Sequence, residues 1–316
     1  MSQPNTRLIA ISGQKPEDVA ILSTGELVTG LDDGRVVAVH PESGQIRTLV
    51  NTGGRPLGLE VTTDDRIIIC DTELGLLQFE PKTQKLTVLA ERFAGEPLRF
   101  CNNASVAADS TIYFSQSSRR YGLEDWKRDL IDGIGTGRLF RRSPSGELTL
   151  LADQLWFTNG VTLTADESSL IYAQSGAMNL TRLWLTGDKA GQHEPFVAAL
   201  EGFPDNLCTD HTGLIWVALA SAKDRRFALI QRLPERSRRL IGWLQQLLPI
   251  HPKGTVWAQA YDQSGQLVHD IHFQHPEFQL VTGMRRVGDC LYLSSLEGGC
   301  LLEVELQSQK TKQPTQ

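Results

Sequence analysis

Residues 102–114, NNASVAADSTIYF, decide the fold of this chain. A short strand that opens with two polar residues runs into a polar turn containing Asp109 and Ser110, and an apolar strand follows. The same arrangement recurs at 17–28, 57–69, 159–172, 205–217 and 281–293 of the 316 residues. Such internal repetition is typical of folds in which similar units pack around a common centre.

Most copies of this unit are followed by two further strands that a turn connects. Residues 34–39 lead into 46–50, and residues 75–79 lead into 86–90 in the same way. Four strands in each of six units predict an all-β fold, a single six-bladed β-propeller. Because each blade needs neighbours to cover its two faces, we expect one domain rather than six.

The ends of the repeats set the expected boundaries of that domain. An early strand at 8–12 would complete the last blade, which places the propeller at residues 1–306. We expect residues 307–316, which are polar, to form a C-terminal tail outside the propeller.

Two insertions, residues 119–137 in blade three and 233–254 in blade five, interrupt the regular spacing. The second contains apolar residues at helical spacing and predicts a short helix: Leu240, Trp243, Leu244, Leu247 and Leu248. We favour a helix that packs on the blades, as amphipathic helices usually do. A lid over the channel mouth and a membrane-facing helix are the alternatives.

Composition argues against several classes of protein. With 37 acidic and 31 basic residues the net charge is −6, which argues against a nucleic-acid partner. No run of about 18 apolar residues occurs, so we expect no membrane span. We expect a cytoplasmic location with the five cysteines as buried free thiols, because residues 1–7 lack the features of a signal peptide. The oligomeric state stays open.

The residues that open the six inner strands carry the candidate chemistry. Aligned on their turns, they are Glu17, Leu57, Asn102, Asn159, Asp205 and Val281. Because the innermost strands of a propeller surround its channel, we expect these side chains to converge. Four of them are oxygen donors, and such a set without His or Cys favours calcium, with Asn206 as a further donor. The alternative is that each Asn or Asp only forms a turn with its own backbone.

Several stretches of the chain resemble a known family. GRPLGL at 54–59, FCNN at 100–103, FTNGV at 157–161 and GFPDN at 202–206 are similar to the strictosidine synthase-like branch of the SMP-30/gluconolactonase/paraoxonase superfamily. Its members are six-bladed propeller lactonases and esterases, and the resemblance extends over residues 17–306. The resemblance implies calcium ligands at these positions: Glu17, Asn102, Asn159, Asp205 and Asn206.

Three positions depart from the pattern of the family. The alkaloid synthases of this fold carry a catalytic Glu at the start of the last inner strand, where Thr282 is the nearest match here. Paraoxonases carry a His where this chain has Leu57. The family often has Asp where Asn103 stands, so a second, structural calcium is left open, with Asp18 as its remaining ligand.

These features predict a calcium-dependent hydrolase of lactones or other carboxylic esters. We expect the metal to polarise the carbonyl and a carboxylate of its shell to activate water, with Asp205 as first choice and Glu17 as second. Leu57, Val281 and Trp243 would contact an apolar part of a small-molecule substrate. The alternatives are a non-catalytic binding or scaffold propeller with structural calcium, and a strictosidine synthase-type lyase, which the missing Glu disfavours.

Overall fold

The computed structural model describes residues 4–244 and 254–306. These residues form six four-stranded antiparallel sheets, which are the blades of a β-propeller, and one two-stranded ribbon. The predicted six-bladed architecture is therefore confirmed. The tail at 307–316 lies outside the described residues, as do Leu247 and Leu248 of the predicted helix.

The first three blades follow one another along the chain after β1 (Thr6–Ala10). Blade one contains β2 (Ala20–Ile21), β3 (Leu27–Gly30), β4 (Arg35–Val39) and β5 (Ile46–Asn51). Blade two contains β6 (Pro56–Val61), β7 (Ile67–Asp71), β8 (Gly75–Glu80) and β9 (Lys85–Ala90), and the ribbon β10 (Arg92–Phe93) and β11 (Glu96–Pro97) follows it. Blade three contains β12 (Cys101–Val106), β13 (Ile112–Gln116), β14 (Gly137–Arg142) and β15 (Leu148–Leu155).

The other three blades repeat the arrangement. Blade four contains β16 (Thr158–Leu163), β17 (Ser169–Gln174), β18 (Asn179–Trp184) and β19 (His193–Val197). Blade five contains β20 (Gly202–Thr209), β21 (Ile215–Ala222), β22 (Val256–Tyr261) and β23 (Leu267–Phe273). Blade six contains β24 (Val281–Val287), β25 (Cys290–Ser295) and β26 (Cys300–Glu305), to which β1 adds the outermost strand.

The ring closes through β1, whose Thr6 pairs with Val304 and whose Ala10 pairs with Cys300. The expected N-terminal strand of the last blade is thus present, at Thr6–Ala10 rather than 8–12. Because β1 comes from the start of the chain and the other three strands from its end, closure depends on contacts between residues far apart in sequence.

Packing between blades forms the core. The strand β7 reads IIICD and is buried throughout, because neighbouring blades cover both of its faces. Val36 of blade one and Ile69 of blade two share one such cluster. The outermost strands are more exposed. The five cysteines are free; three are buried, while Cys290 and Cys300 are half-buried.

Helices occur in both insertions. A 3-10 turn (Leu123–Asp125) and α1 (Trp126–Asp132) lie in the blade-three insertion. The connection between β21 and β22 carries α2 (Arg225–Gln231) and α3 (Glu235–Leu244), so it contains two helices where the sequence pattern predicted one. The Asp224 side chain caps α2 by accepting from the backbone N–H of Arg226 at 2.7 Å. None of the described helices is long and apolar enough to cross a membrane.

Candidate metal centre and cavity

The inner strands change register where the predicted site residues lie. In blade three Cys101 pairs with Gln116, but the next paired residue is Ala104, with Phe114. Blades two, four and five show the same shift after Pro56, Thr158 and Pro204. A bulge of this kind redirects side chains away from the alternating pattern of a strand. We name the two residues that each of these shifts skips the first and second channel positions. The same names are used for the corresponding residues of the other two blades: Glu17 and Asp18, which precede β2 in blade one, and Thr282 and Gly283 in blade six, where the shift skips Thr282 alone.

Blade six corrects one prediction. Val281 pairs with Ser295, which gives it the register of Cys101 and Thr158, so Thr282 and not Val281 occupies the first channel position. Val281 is fully buried in the hydrophobic core with Trp216 and Met284, because a shift of one residue moves a side chain to the other face of a strand. Val281 is therefore not among the residues that line the cavity described below, and its contact with substrate stays a prediction that this placement does not support.

Two asparagines at first channel positions are oriented by serines of their own blades. Asn102 Nδ2 donates to Ser117 Oγ at 2.9 Å, and Asn159 Nδ2 donates to Ser175 Oγ at 3.2 Å. The oxygen of each carboxamide is buried and accepts no hydrogen bond from the described chain. Because the nitrogens are engaged, the free atoms are carbonyl oxygens.

Blades one and five add two carboxylates and a third carboxamide. Asn206 Nδ2 lies 3.3 Å from both carboxylate oxygens of Glu17, which joins residues 189 positions apart. Asp205 Oδ1 and Asn206 Oδ1 are buried and lack a hydrogen-bond partner within the described ranges. Four predicted ligands line one cavity: Glu17, Asn102, Asn159 and Asp205. Asn206 does not line the cavity itself, but it contacts Glu17, which does.

The electrostatics of this cluster favour a cation. Burial, followed by the charge of Asp205, raises the pKa of Glu17 well above its usual value. Burial likewise raises the pKa of Asp205 to about 8. Each carboxylate is therefore costly to ionise unless positive charge lies nearby.

The donor set fits a hard divalent ion. A buried oxygen without a donor costs about 1–3 kcal/mol, and a cation bound among the three carboxamide oxygens of this kind would offset that cost. In the described part of the chain, no group of three or more His, Cys, Asp and Glu is arranged to hold a metal. The channel cluster has two carboxylates and three carboxamides, which is an all-oxygen set suited to calcium.

The second channel positions form a layer that alternates polar residues with glycine. Blades one, three and five supply the polar side chains Asp18, Asn103 and Asn206, and the intervening blades supply Gly58, Gly160 and Gly283. A methyl group on Gly58 would lie 2.6 Å from Asn103 Cα, and one on Gly283 would overlap the Asp18 carboxylate. The glycines therefore make room for the polar residues of the next blades. This alternation is visible in the sequence but was not used to predict the layer.

Asp18 has protein partners in this layer. Its Oδ2 accepts from the backbone N–H of Leu59 at 3.0 Å and from Asn103 Nδ2 at 3.2 Å, and its Oδ1 accepts from Val19 N–H at 2.8 Å. Asn103 Oδ1 accepts from Val161 N–H at 2.9 Å. Asn103 thus links three blades at the place where the family often has Asp.

A cavity of about 610 Å³ lies over the metal-binding candidates. The Phe100 and Phe157 rings meet edge to face at 5.6 Å, and the Phe203 and Phe227 rings do so at 5.0 Å. Leu57 lines the cavity as predicted, and Leu280 takes the place expected for Val281. The insertion helices α1 and α2 contribute further apolar lining residues: Trp126, Leu130, Ile131 and Ile230. The cavity therefore has a polar floor and largely apolar walls.

Trp243 is not part of this cavity. It lies on α3 with 51% of its surface exposed, so its contact with substrate stays a prediction that the cavity lining does not support. The connection between β21 and β22 instead contributes Phe227 of α2, which also stacks on Trp156 at 6.3 Å. The spacing of Phe227 and Ile230 along α2 is a helical signal that sequence analysis could have used.

Comparison with known proteins identifies the family. Residues 23–234 match the SMP-30/Gluconolactonase/LRE-like region, and the chain belongs to this family of propellers. Residues 3–39 also match the strictosidine synthase-like N-terminal region. The family resemblance predicted from the sequence is confirmed.

Related proteins match most of this chain. A strictosidine synthase-like protein of Arabidopsis thaliana is 28% identical over 92% of this chain and 79% of its own length. The adipocyte plasma membrane-associated protein of Rattus norvegicus is 28% identical, over 97% of this chain and 89% of its own length.

Solved structures support the fold. A gluconolactonase from Xanthomonas campestris superimposes with a TM-score of 0.70 at 18% identity, covering 96% of this chain and 90% of its own. A regucalcin from Agrobacterium tumefaciens, described as a calcium-binding protein, gives 0.64 at 16% identity, with 94% of each chain covered. At these identities the likeness concerns the fold alone.

Proposed function

We propose that this chain is a calcium-dependent hydrolase of lactones or other carboxylic esters. The observation that carries the proposal is the set of four buried oxygens without donors, next to an apolar cavity large enough for a small molecule. The names of the structural neighbours, a gluconolactonase and a calcium-binding regucalcin, agree with this activity.

The ion would be held by five residues of blades one, three, four and five: Glu17, Asn102, Asn159, Asp205 and Asn206. When bound, calcium supplies Lewis-acid polarisation of a substrate carbonyl and stabilises negative charge on its oxygen. The contacts of Asp18 with Leu59 and Asn103 favour a layer of second channel positions that protein groups hold together without a second, structural ion.

Asp205 is the better of the two carboxylates for activating water. Its Oδ1 is buried beside the cavity without a donor from the described residues, whereas both oxygens of Glu17 lie 3.3 Å from the Asn206 amide. A general base needs an oxygen that can accept a proton from water. We therefore assign the base to Asp205 and a positioning and charge-balancing role to Glu17.

The cavity walls would orient the substrate and exclude water. Phe100, Phe157 and Phe203 surround the space above the polar floor, and such walls favour an apolar acyl or leaving group. Exclusion of water strengthens electrostatic interactions in the site. A small-molecule ester or lactone in a cytoplasmic setting fits this cavity and the free cysteines.

A strictosidine synthase-type lyase fits the channel less well. The sixth blade offers Thr282 at its first channel position, and its Oγ1 donates to the backbone oxygen of Glu17 at 2.6 Å. A hydroxyl engaged in this way cannot serve as the carboxylate base that an amine–aldehyde condensation needs.

The test is hydrolysis of phenyl acetate and a panel of lactones, with calcium and with excess chelator. We expect turnover that chelator abolishes and that falls about 100-fold or more in Asp205→Asn. Asp210→Asn is the matched control, because Asp210 is buried but bonds to Arg286 outside this cavity. Calcium binding measured by calorimetry without turnover of any ester would support the scaffold alternative instead.

A further inference from the structure

Exposed apolar residues are concentrated on the connection between β21 and β22. Of the nine large hydrophobic side chains that are exposed in the described chain, five lie between residues 229 and 244: Leu229, Leu233, Leu240, Trp243 and Leu244. Three of them are at least half exposed, at 61% for Leu229, 58% for Leu240 and 51% for Trp243. Five exposed large apolar residues within one stretch of 16 make this connection the candidate interaction surface of the described chain.

The orientation of α3 is set by contacts with α1, on the side of the helix opposite to the exposed apolar residues. Arg238 Nε donates to the backbone oxygen of Asp132 in α1 at 2.9 Å, and Gly242 is buried against the same residue. Leu240, Trp243 and Leu244 follow one another at i, i+3 and i+4, so they share the side of the helix that faces away from α1. These apolar side chains are therefore held outward by specific contacts.

The same stretch of chain is strongly basic. Between residues 224 and 244 the chain has six arginines and two acidic residues, a formal charge of +4, whereas the whole chain carries −6. Asp224 is used as the cap of α2, and Glu235 pairs with Arg239. The five exposed apolar residues above and five exposed arginines together are named the arginine–leucine face. The arginines are Arg225, Arg226, Arg232, Arg236 and Arg239.

We propose that the arginine–leucine face docks on an anionic lipid surface. Outward leucine and tryptophan side chains interleaved with arginine are the composition by which helices lie in the interface of a membrane. A second copy of the chain is a poorer occupant, since a two-fold contact would bring together two faces that each carry +4. Lipid headgroups of negative charge complement the face, and its apolar side chains would enter the acyl boundary.

Docking would place the cavity mouth at the lipid surface. Phe227 and Ile230 of α2 line the cavity, and the exposed Arg225 and Arg226 lie at its rim. The outer side of the same helix carries Leu229. A substrate that partitions into the lipid would reach the cavity without crossing bulk water. The docking itself does not depend on the hydrolase proposal and can be tested without turnover.

The test is flotation of the full-length protein with vesicles of phosphatidylcholine alone and with vesicles of phosphatidylcholine and phosphatidylglycerol in equal parts. We expect binding to the anionic vesicles, weakened by salt, and little binding to the neutral ones. The double variants Leu240→Ser/Trp243→Ser and Arg232→Glu/Arg236→Glu should each weaken binding about tenfold or more. Wild-type tryptophan emission should shift to the blue with anionic vesicles, and Trp243→Phe should reduce this shift.

The matched control is Leu267→Ser/Val268→Ser, which removes two exposed apolar residues from β23 on the outer edge of the same blade. This variant should bind vesicles as the wild type does, and thermal melts should show that all the variants fold. Absence of binding to anionic vesicles overturns the proposal, as does an equal loss in the control. A dimer in sedimentation that Leu240→Ser/Trp243→Ser converts to monomer, without vesicle binding, would assign the face to a second copy.

Discussion

The amide nitrogen of Asn102 donates to Ser117 Oγ over 2.9 Å, and this contact decides which end of the carboxamide is free in the channel. Ser117 Oγ in turn donates to the backbone oxygen of Thr158 at 2.8 Å, in the next blade. Asn159 and Ser175 repeat the arrangement one blade further on. The orientation of Asn102 and of Asn159 is thus a property of two adjacent blades.

Ser117→Ala should therefore weaken calcium binding. Without the serine oxygen the Asn102 amide loses the partner that holds its oxygen toward the other ligands. Groups that orient metal ligands typically contribute about 10–100-fold in affinity. Titration calorimetry with calcium measures the effect. The control is Ser105→Ala, because Ser105 is buried in the same strand as Asn102 but accepts from Leu163 N–H away from the cavity. Equal affinities in the two variants would contradict the orienting role.

Removal of calcium should lower thermal stability. An ion that binds only the folded state adds about 2.7 kcal/mol at a concentration 100 times its dissociation constant. We expect the melting temperature to fall with chelator and to return with calcium, and Asn102→Ala together with Asn159→Ala should abolish most of the difference. A melting temperature insensitive to calcium in the wild type would contradict the metal site.

Gly160→Ala should destabilise the propeller strongly. A methyl group at this position would overlap the Leu207 nitrogen and lie 2.6 Å from the Asn206 carbonyl carbon, and both contacts are to backbone that cannot move aside. We expect a loss of about 3 kcal/mol in the free energy of unfolding. Gly25→Ala, at a turn with φ of 84° and open space around it, should cost about 1 kcal/mol. Denaturant unfolding measures both, and similar losses would argue against tight packing of the channel layer.

Asp129 on α1 should make stability dependent on pH. Burial raises its pKa from the usual 3.8 to about 6, against hydrogen bonds from Ser118 and Thr136 that lower it. The folded state therefore binds its proton more tightly than the unfolded state does. Stability from this group is fully present below pH 3.8 and is lost as the pH rises to about 6.

Asp129→Asn removes this titration, because the amide stays uncharged. We expect wild type and variant to unfold with similar free energies near pH 4, and the variant to be more stable by about 3 kcal/mol above pH 7. Urea unfolding across this range measures the difference. A difference that does not change with pH would contradict the assigned protonation.

Phe227→Ala should raise KM for phenyl acetate more than it lowers kcat, if the hydrolase proposal is right. The ring closes one wall of the cavity and packs on Phe203, but it lies on α2 rather than among the proposed ligands. Loss of an aromatic contact of this size predicts about a 10-fold rise. A matched loss in kcat with unchanged KM would instead place Phe227 close to the reacting atoms.

The repeats predicted the metal-binding candidates, but they did not predict the residues that surround them. Asn102 and Asn159 occupy the same place in two repeats, so aligning the turns found both. The same alignment missed Thr282, because a bulge lets consecutive residues share a face and Val281 looked like the opening residue. Trp243 followed the helical pattern of the insertion, yet that pattern does not tell which side of α3 faces the blades.

Strand periodicity and the position of polar residues within each repeat are local properties. By themselves they determined the propeller, its six units and the oxygen-donor side chain that four of the six repeats carry at the equivalent position. The tertiary structure decided which polar atom of each donor side chain is free, which residues line the cavity and which face of α3 is exposed. These features depend on contacts such as those of Asn206 with Glu17, 189 residues apart, and of Arg238 with Asp132. Sequence patterns reflect burial along one element, whereas these contacts arise only when separate elements pack together.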